Sequence, residues 1–444
     1  MRLTNVSQMQ AHSGRLSSYV VTVRPGGGEP LPISFDQNRH VSFGSRPGSW
    51  MAVAFELPRP AGLEEIGRAW LHVLRRHGTL RSVFSGQEGG GDRDHPLELN
   101  PVELSEGEWQ SLTGDAGAEE VRTTLRELFD VACDPFGQPS HRLCVVEPGR
   151  AAPEEGPQII IGSDHSHVDA WSLLVLVRDL TACLEDLAAG REPGARLPEV
   201  EPFAAHTRLL EAKPTPPEEI LTRWREILDA GGGAMPNFPL NLGDLSVPAQ
   251  EVVEVRDVFD AEELAFLEAH AAAHGVRLIA VAVSVMTRLA RELAGQPLRT
   301  VFPVHSREDP RWFDSVGWFI TNSVLENDDE SYAASYRTVK EAIRLGSYPL
   351  GPIMEPYGGM PQEPGMFAMS WLDHRKLPVN VAEDLNPQHV SAVIRTDGVM
   401  IWFVINDSGM HLRCRYPDTR QARRAMRTWL AGLVYGLRAP LEAS

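Results

Sequence analysis

Very little in this chain of 444 residues suggests covalent or metal cross-linking: its four cysteines, Cys133, Cys144, Cys183 and Cys414, lie far apart and form no Cys-x-x-Cys pair. Such a pattern reads as small apolar side chains in a reducing compartment. Long apolar runs are also missing. No stretch approaches the roughly 18 uninterrupted apolar residues of a membrane-spanning helix. The first residues, MRLTNVSQMQAHSG, lack the apolar block of a signal peptide, so the expected location is the cytoplasm. Positive charge is scarce as well, with 42 Lys and Arg against 60 Asp and Glu and a net charge of -18. That balance excludes a broadly basic nucleic-acid surface.

What is present is ordinary globular composition, 42% hydrophobic and 23% charged, in a chain long enough for two cores. Residues 50–57 form an apolar run bounded by prolines and read as a strand. Residues 62–77 carry Leu63, Ile66, Trp70, Val73 and Leu74 at helical spacing, closed by Gly78. TLRSVFS (79–85) reads as a strand, the Gly-rich 86–94 as a loop, 117–129 as a helix and 141–147 as a strand. Ile159–Ile161 is a buried strand followed by a tight turn and a helix over 171–187. Proline-rich segments at 190–200 and 213–218 mark a crossover. Strands are then expected at 251–259, 300–306, 316–325, 367–373, 389–397, 399–407 and 410–416, with helices over 261–275, 277–295 and 419–437. The two halves, 1–205 and 206–444, mix strands and helices in a similar order without a sequence repeat. The fold class is therefore α/β, two α+β sandwiches side by side.

Chemistry concentrates at Gly162-Ser-Asp-His-Ser-His-Val-Asp-Ala-Trp-Ser172. A buried strand delivers two histidines and two aspartates to a short turn, where packing on both sides can immobilise them. An imidazole there can accept a proton from an alcohol or amine attacking a carbonyl. His165, His167 and Asp169 would share a face in extended chain, yet no further ligand cluster has matching spacing, so no metal is expected. No G-x-S-x-G elbow surrounds Ser82, Ser172 or Ser323. The arginines 413, 415, 420, 423, 424 and 427 read as a solvated helix face or, more sharply, as a dock for an acidic carrier protein or coenzyme A phosphates.

His165-xxx-Asp169 resembles the HHxxxDG signature of peptide-synthetase condensation domains, and more closely the HxxxD form of polyketide-associated acyltransferases. The resemblance runs along most of the chain. Pro32-Ile-Ser-Phe-Asp-Gln-Asn-Arg39 is similar to the family's opening S-x-x-Q-x-R stretch, and Arg76-His-Gly-Thr-Leu-Arg-Ser-Val-Phe84 to its RH-x-x-LR-x-x-F strand. Asp314-Ser-Val-Gly-Trp-Phe-Ile-Thr-Asn322, Ser370-Trp-Leu-Asp-His374 and Arg415-Tyr-Pro-Asp-Thr419 match further motifs. Asp164 stands where the first His would be, Ala170 where the Gly would be, and Thr321-Asn322 inverts the usual order.

The resemblance implies two chloramphenicol-acetyltransferase-like subdomains in a V-shaped pseudo-dimer, with a catalytic loop at their interface and a tunnel through it. It implies an acyltransferase with His165 as base or orienting group and Asp169 as a mainly structural carboxylate, with Arg81 as that carboxylate's candidate ion-pair partner. His167, Trp171 and Ser370 would line the tunnel, with Trp318 and Phe319 bordering it from the second domain. The donor would be the phosphopantetheine arm of coenzyme A or an acyl carrier protein, the acceptor a small hydroxyl or amine, with no permanently bound cofactor. A monomer is the expected state. A non-catalytic scaffold that binds a carrier protein or recruits a partner enzyme, and a cyclisation catalyst of the same fold, are the competing readings.

Overall fold

A computed structural model describes residues 2–86, 96–149 and 156–442. The glycine-rich loop expected at 86–94 lies, beyond Gly86, outside them. The chain forms two compact units, each built on one mixed sheet. The first comprises 1–212, 307–319 and 377–393, and the second 213–306, 320–376 and 394–444.

The first unit holds eight strands in the order Arg2–Asn5, Gln388–Ser391, Trp50–Glu56, Gln158–Asp164, His141–Pro148, Gly14–Pro25, Glu98–Ala116 and Ser82–Ser85. Gln158–Asp164 is central and buried at all seven positions. This is why its Ile159–Ile161 segment is a continuous apolar run and not an alternating one. Leu63–Arg76 and Ala170–Ala188 bury Ile66, Trp70, Val73, Leu174, Val177 and Leu180 in one cluster with Val53, Phe55, Leu143, Ile159 and Ile161 of the sheet. Each such buried side chain contributes about 1.5–3 kcal/mol through area removed from water.

The Arg76-His77 pair ends its helix for a visible reason. His77 Nε2 and Arg76 Nε both reach the carboxylate of Asp179, each at 2.8 Å. Asp179 lies in Ala170–Ala188 and is fully buried. The motif therefore ties one helix to the other, and so positions the turn that precedes the second. On the sheet, Gly162 has no room for a side chain, because a Cβ would lie 2.8 Å from the Phe129 ring.

The second unit has seven strands, ordered Ile320–Asn327, Leu298–His305, Phe367–Asp373, Val399–Asn406, Gly409–Pro417, Ala249–Asp260 and Arg395–Thr396. Its core includes Leu278–Ala294, which buries Val281, Val283, Met286 and Ala290 with Phe367, Phe403, Met426 and Trp429. No single helix among the described residues is long and apolar enough to cross a membrane.

Several elements differ from the sequence reading. The run expected as one strand over 389–397 is two: Gln388–Ser391 pairs with Trp50–Glu56 and Arg2–Asn5, whereas Arg395–Thr396 pairs with Ala249–Asp260. The compact units are consequently discontinuous in sequence, while the expected division was a single break after residue 205. The strand expected at 316–325 starts only at Ile320, because 307–319 belongs to the first unit. TLRSVFS divides into a 3-10 turn, Gly78–Arg81, and a strand, Ser82–Ser85. The strand Glu98–Ala116 had no clear apolar block to announce it, being largely exposed along its second half. Arg413 and Arg415 belong to a strand and not to the helix Arg420–Glu442, and Arg413 is buried, with its guanidinium over the Trp402 ring at 4.4 Å.

Candidate active site

The turn 165–169 leaves a strand whose backbone is still held on both sides, with Asp164 N donating to Ser140 O at 2.8 Å and His165 N to Ser49 O at 3.0 Å. Asp164 is completely buried and organises the first half of the turn. Its Oδ1 accepts from the Ser166 backbone at 2.9 Å and from the Ser166 hydroxyl, and its Oδ2 lies 3.2 Å from His40 Nε2. Arg46 donates to His40 Nδ1 at 3.0 Å. A guanidinium only donates, so Nδ1 accepts and Nε2 carries the hydrogen directed at Asp164. Burial alone would raise the Asp164 pKa, but the hydrogen bond and field of His40, then the Ser166 hydroxyl, hold it down at about 2. Gln37 closes this half. The helix Phe35–Val41 begins with a capping box between Ser34 and Gln37, and Gln37 Nε2 also donates to Ser166 O at 2.8 Å.

His165 and His167 end up in opposite circumstances. His167 is 1% exposed, with Nδ1 on the Ser166 hydroxyl at 3.0 Å and Nε2 on Ser82 O at 3.1 Å. Both its nitrogens are used, and its ring shapes the turn. His165 is only half-buried, in a run whose neighbours from Ile159 to Asp169 are otherwise buried. Its ring stacks on Trp318, with centroids 4.1 Å apart at 30°, and the His40 ring meets the same indole edge-on at 5.2 Å. The Nδ1 atom is closed to solvent and has no partner side chain, which leaves Nε2 for an incoming group. Burial above all pushes the His165 pKa below the usual imidazole range, against the opposing pull of its own backbone, Asp164 and Asp169. The ring is therefore neutral at pH 7 and able to accept a proton.

Asp169 is the other anchor. It caps the helix Ala170–Ala188, accepting from Ser172 N at 2.7 Å, while its Oδ2 takes Arg307 Nη1 at 2.6 Å and Phe319 N at 3.1 Å. Arg307 spends its other donors on Ser172 Oγ at 2.8 Å, Ser315 O at 3.0 Å and Trp312 O at 3.2 Å, and its guanidinium lies 3.9 Å over the Phe319 ring. The carboxylate and guanidinium are at most 1% exposed. Burial opposes ionisation of Asp169, but Arg307 and the helix-capping hydrogen bonds lower its pKa. Ser172 Oγ donates to Gly317 O at 2.9 Å and accepts from Gly317 N at 3.1 Å, and a Cβ on Gly317 would collide with Phe203.

Arg307 corrects one expectation outright: the ion-pair partner of Asp169 is Arg307, not Arg81. Arg81 lies in the turn before Ser82–Ser85 and makes no ion pair among the described residues. Sequence reasoning missed Arg307, since Val304-His-Ser-Arg-Glu-Asp309 looks like any polar strand end. Trp318 and Phe319 belong to the same compact unit as His165, where they were expected to come from a second one. Trp171 is buried and donates to Phe313 O at 3.0 Å. Ser370 is half-buried on the strand Phe367–Asp373 of the second unit. His40, Arg46 and Gln37 join the turn without having been singled out as chemical residues. Among the described residues, no three His, Cys, Asp or Glu side chains converge in a metal-holding group.

A sealed acid–guanidinium anchor and a half-buried imidazole thus stand at the two ends of a five-residue turn that leaves a central strand of a mixed sheet. The family model described as "Condensation domain" matches residues 42–353, and the chain belongs to that family. It is 28% identical over 306 residues to the phosphinothricin tripeptide synthetase PhsC of Streptomyces viridochromogenes, covering 67% of this chain but only 27% of that much longer protein. Its match to the acyltransferase PapA3 of Mycobacterium tuberculosis is 22% identical over 430 residues and spans 91% of this chain and 88% of that one. Among solved structures, the PapA2 acyl transferase superposes with a TM-score of 0.83 at 19% identity, covering 98% of this chain and 99% of that one.

Proposed function

We propose that this protein transfers an acyl group from the thioester of a phosphopantetheine arm, on coenzyme A or a carrier protein, to a hydroxyl or amine acceptor, with His165 as general base. The observation that carries this reading is the single imidazole left half-open, neutral and stacked in a turn that is otherwise sealed. The acceptor's proton passes to His165 Nε2 as its oxygen or nitrogen bonds to the thioester carbonyl carbon. The tetrahedral intermediate then expels the thiolate, which takes the proton back from the imidazolium. No acyl-enzyme is needed, because no nucleophilic side chain of the turn is free: the Ser166 hydroxyl is spent on Asp164. Asp169 and Arg307 act as positioning residues by holding the backbone that carries His165.

The likeness to a named acyltransferase over 91% of this chain supports acyl transfer as the reaction. The test is release of free thiol from a panel of acyl-coenzyme A and acyl-carrier-protein thioesters, with alcohols and amines as acceptors. His165→Ala is expected to lower turnover by about 10²–10⁴-fold. Full turnover in a folded His165→Ala protein removes the general-base role.

A further inference from the structure

One cavity of the first unit takes no part in the chemistry above. It encloses about 150 Å³ and is lined largely by carbon, with Leu31, Leu99, Val102 and Phe203 among its walls. Its one charged lining side chain is Arg81. Arg81 Nε is shut off from solvent without a hydrogen-bond partner, and the guanidinium makes no ion pair among the described residues. The other side-chain donors of the wall are already spent, Thr79 Oγ1 on Val316 O at 2.7 Å and Ser82 Oγ on Thr79 O at 2.8 Å.

Arg81 is half-buried at this wall and no carboxylate pairs with it among the described residues, so an anion entering the cavity would meet an uncompensated positive charge. One cation amid apolar walls suits a monoanion with an apolar body, and a planar carboxylate matches the guanidinium fork. A dianion such as phosphate would bring a second charge with nothing to pair it. Cavities of about this volume take up molecules the size of benzene. We propose that this cavity is a binding site for a small free organic monocarboxylate, with its carboxylate on Arg81 and its hydrocarbon body against Leu31, Leu99, Val102 and Phe203. The assignment is independent of the acyl-transfer reading, since it uses neither His165 nor a thioester.

The experiment is titration of the full chain with hexanoate and benzoate, followed by ligand-observed NMR and calorimetry, beside hexan-1-ol and hexylamine as matched neutral and cationic probes. The carboxylates are expected to bind at least about tenfold more tightly than either, as a charge-assisted hydrogen bond requires. Arg81→Gln should abolish that preference while leaving weak binding of the alcohol. Equal binding of carboxylate and alcohol to the unaltered protein overturns the proposal, as does no carboxylate binding at millimolar concentration. Because the comparison is made on the unaltered chain, it stands even if Arg81→Gln misfolds. Binding should persist in His165→Ala, so failure of the acyl-transfer reading and failure of this one are separately visible.

Discussion

The two ends of the turn 165–169 hold ionisable groups only four residues apart, yet they are built to opposite purposes. At Asp169 every oxygen and every facing donor is satisfied, and the charge pair is at most 1% exposed. At His165 one face of the ring is covered by Trp318, Nδ1 is closed in, and Nε2 has no hydrogen-bond partner among the described residues. Saturation makes the first end rigid, and the missing partner makes the second reactive. A site that must hold its reactive group in place needs both, because the group that does chemistry cannot also be the one that is tied down.

That contrast can be broken in order of effect. Arg307→Met should be the most damaging change, since it leaves the Asp169 carboxylate buried without its counter-charge. Its expected cost is about 3–5 kcal/mol of stability, read as a fall in denaturation midpoint, with activity lost at the same time. An unchanged midpoint would mean the pair is not the anchor described. His40→Ala removes a donor from the equally buried Asp164 and should cost about 1–3 kcal/mol. Here a drop in kcat larger than the drop in stability would show that the first half of the turn also orients His165.

Acid should act on stability and on turnover, and the direction follows from the shifts. Burial depresses His141 to about 3 and His389 to about 4 in the folded protein. The unfolded chain therefore binds more protons below the ordinary imidazole range, and stability falls as pH drops. The loss begins near the usual histidine pKa of about 6.5 and grows by up to about 1.4 kcal/mol per pH unit for each histidine, until the folded ring titrates. Asp164, held at about 2, adds to the loss only below the ordinary aspartate range. kcat/KM should show its acid limb below about 6.5, because the lowered pKa of His165 keeps the base form to more acidic pH. A limb above neutrality would contradict a neutral, burial-depressed imidazole. The smallest effect belongs to His165→Ala on stability. Losing a stacked, half-buried ring should cost about 1 kcal/mol or less, and a cost equal to that of Arg307→Met would erase the distinction between the two ends.

Much of this was legible beforehand, and for local reasons. The continuous apolar run Ile159–Ile161, the helix after Asp169 and the amphipathic Leu63–Arg76 announce themselves by periodicity and capping, which depend on neighbours in sequence. Arg76-His77 stood out as a motif, although its target, Asp179, was not readable. Arg307 was invisible because nothing in Val304–Asp309 separates a buried guanidinium from a solvated one. The assignment of Arg81 failed for the same reason: both arginines follow strands or turns of similar composition, and only the packing determines which one reaches Asp169. Likewise the split of 389–397 between two sheets leaves no trace in its alternation, since either sheet accepts a period of two.

By itself, then, the chain's order of residues settled where most of its helices and several of its strands would form, and that one histidine-bearing turn would follow a buried strand, because backbone propensity and apolar spacing are short-range. Tertiary structure alone decided which of two histidines in that turn keeps a nitrogen free, and which distant arginine neutralises its aspartate. Those outcomes rest on contacts between segments distant in sequence, Ser82 with His167, Trp318 with His165 and Arg307 with Asp169, and burial and pairing, unlike periodicity, exist only once such segments have met.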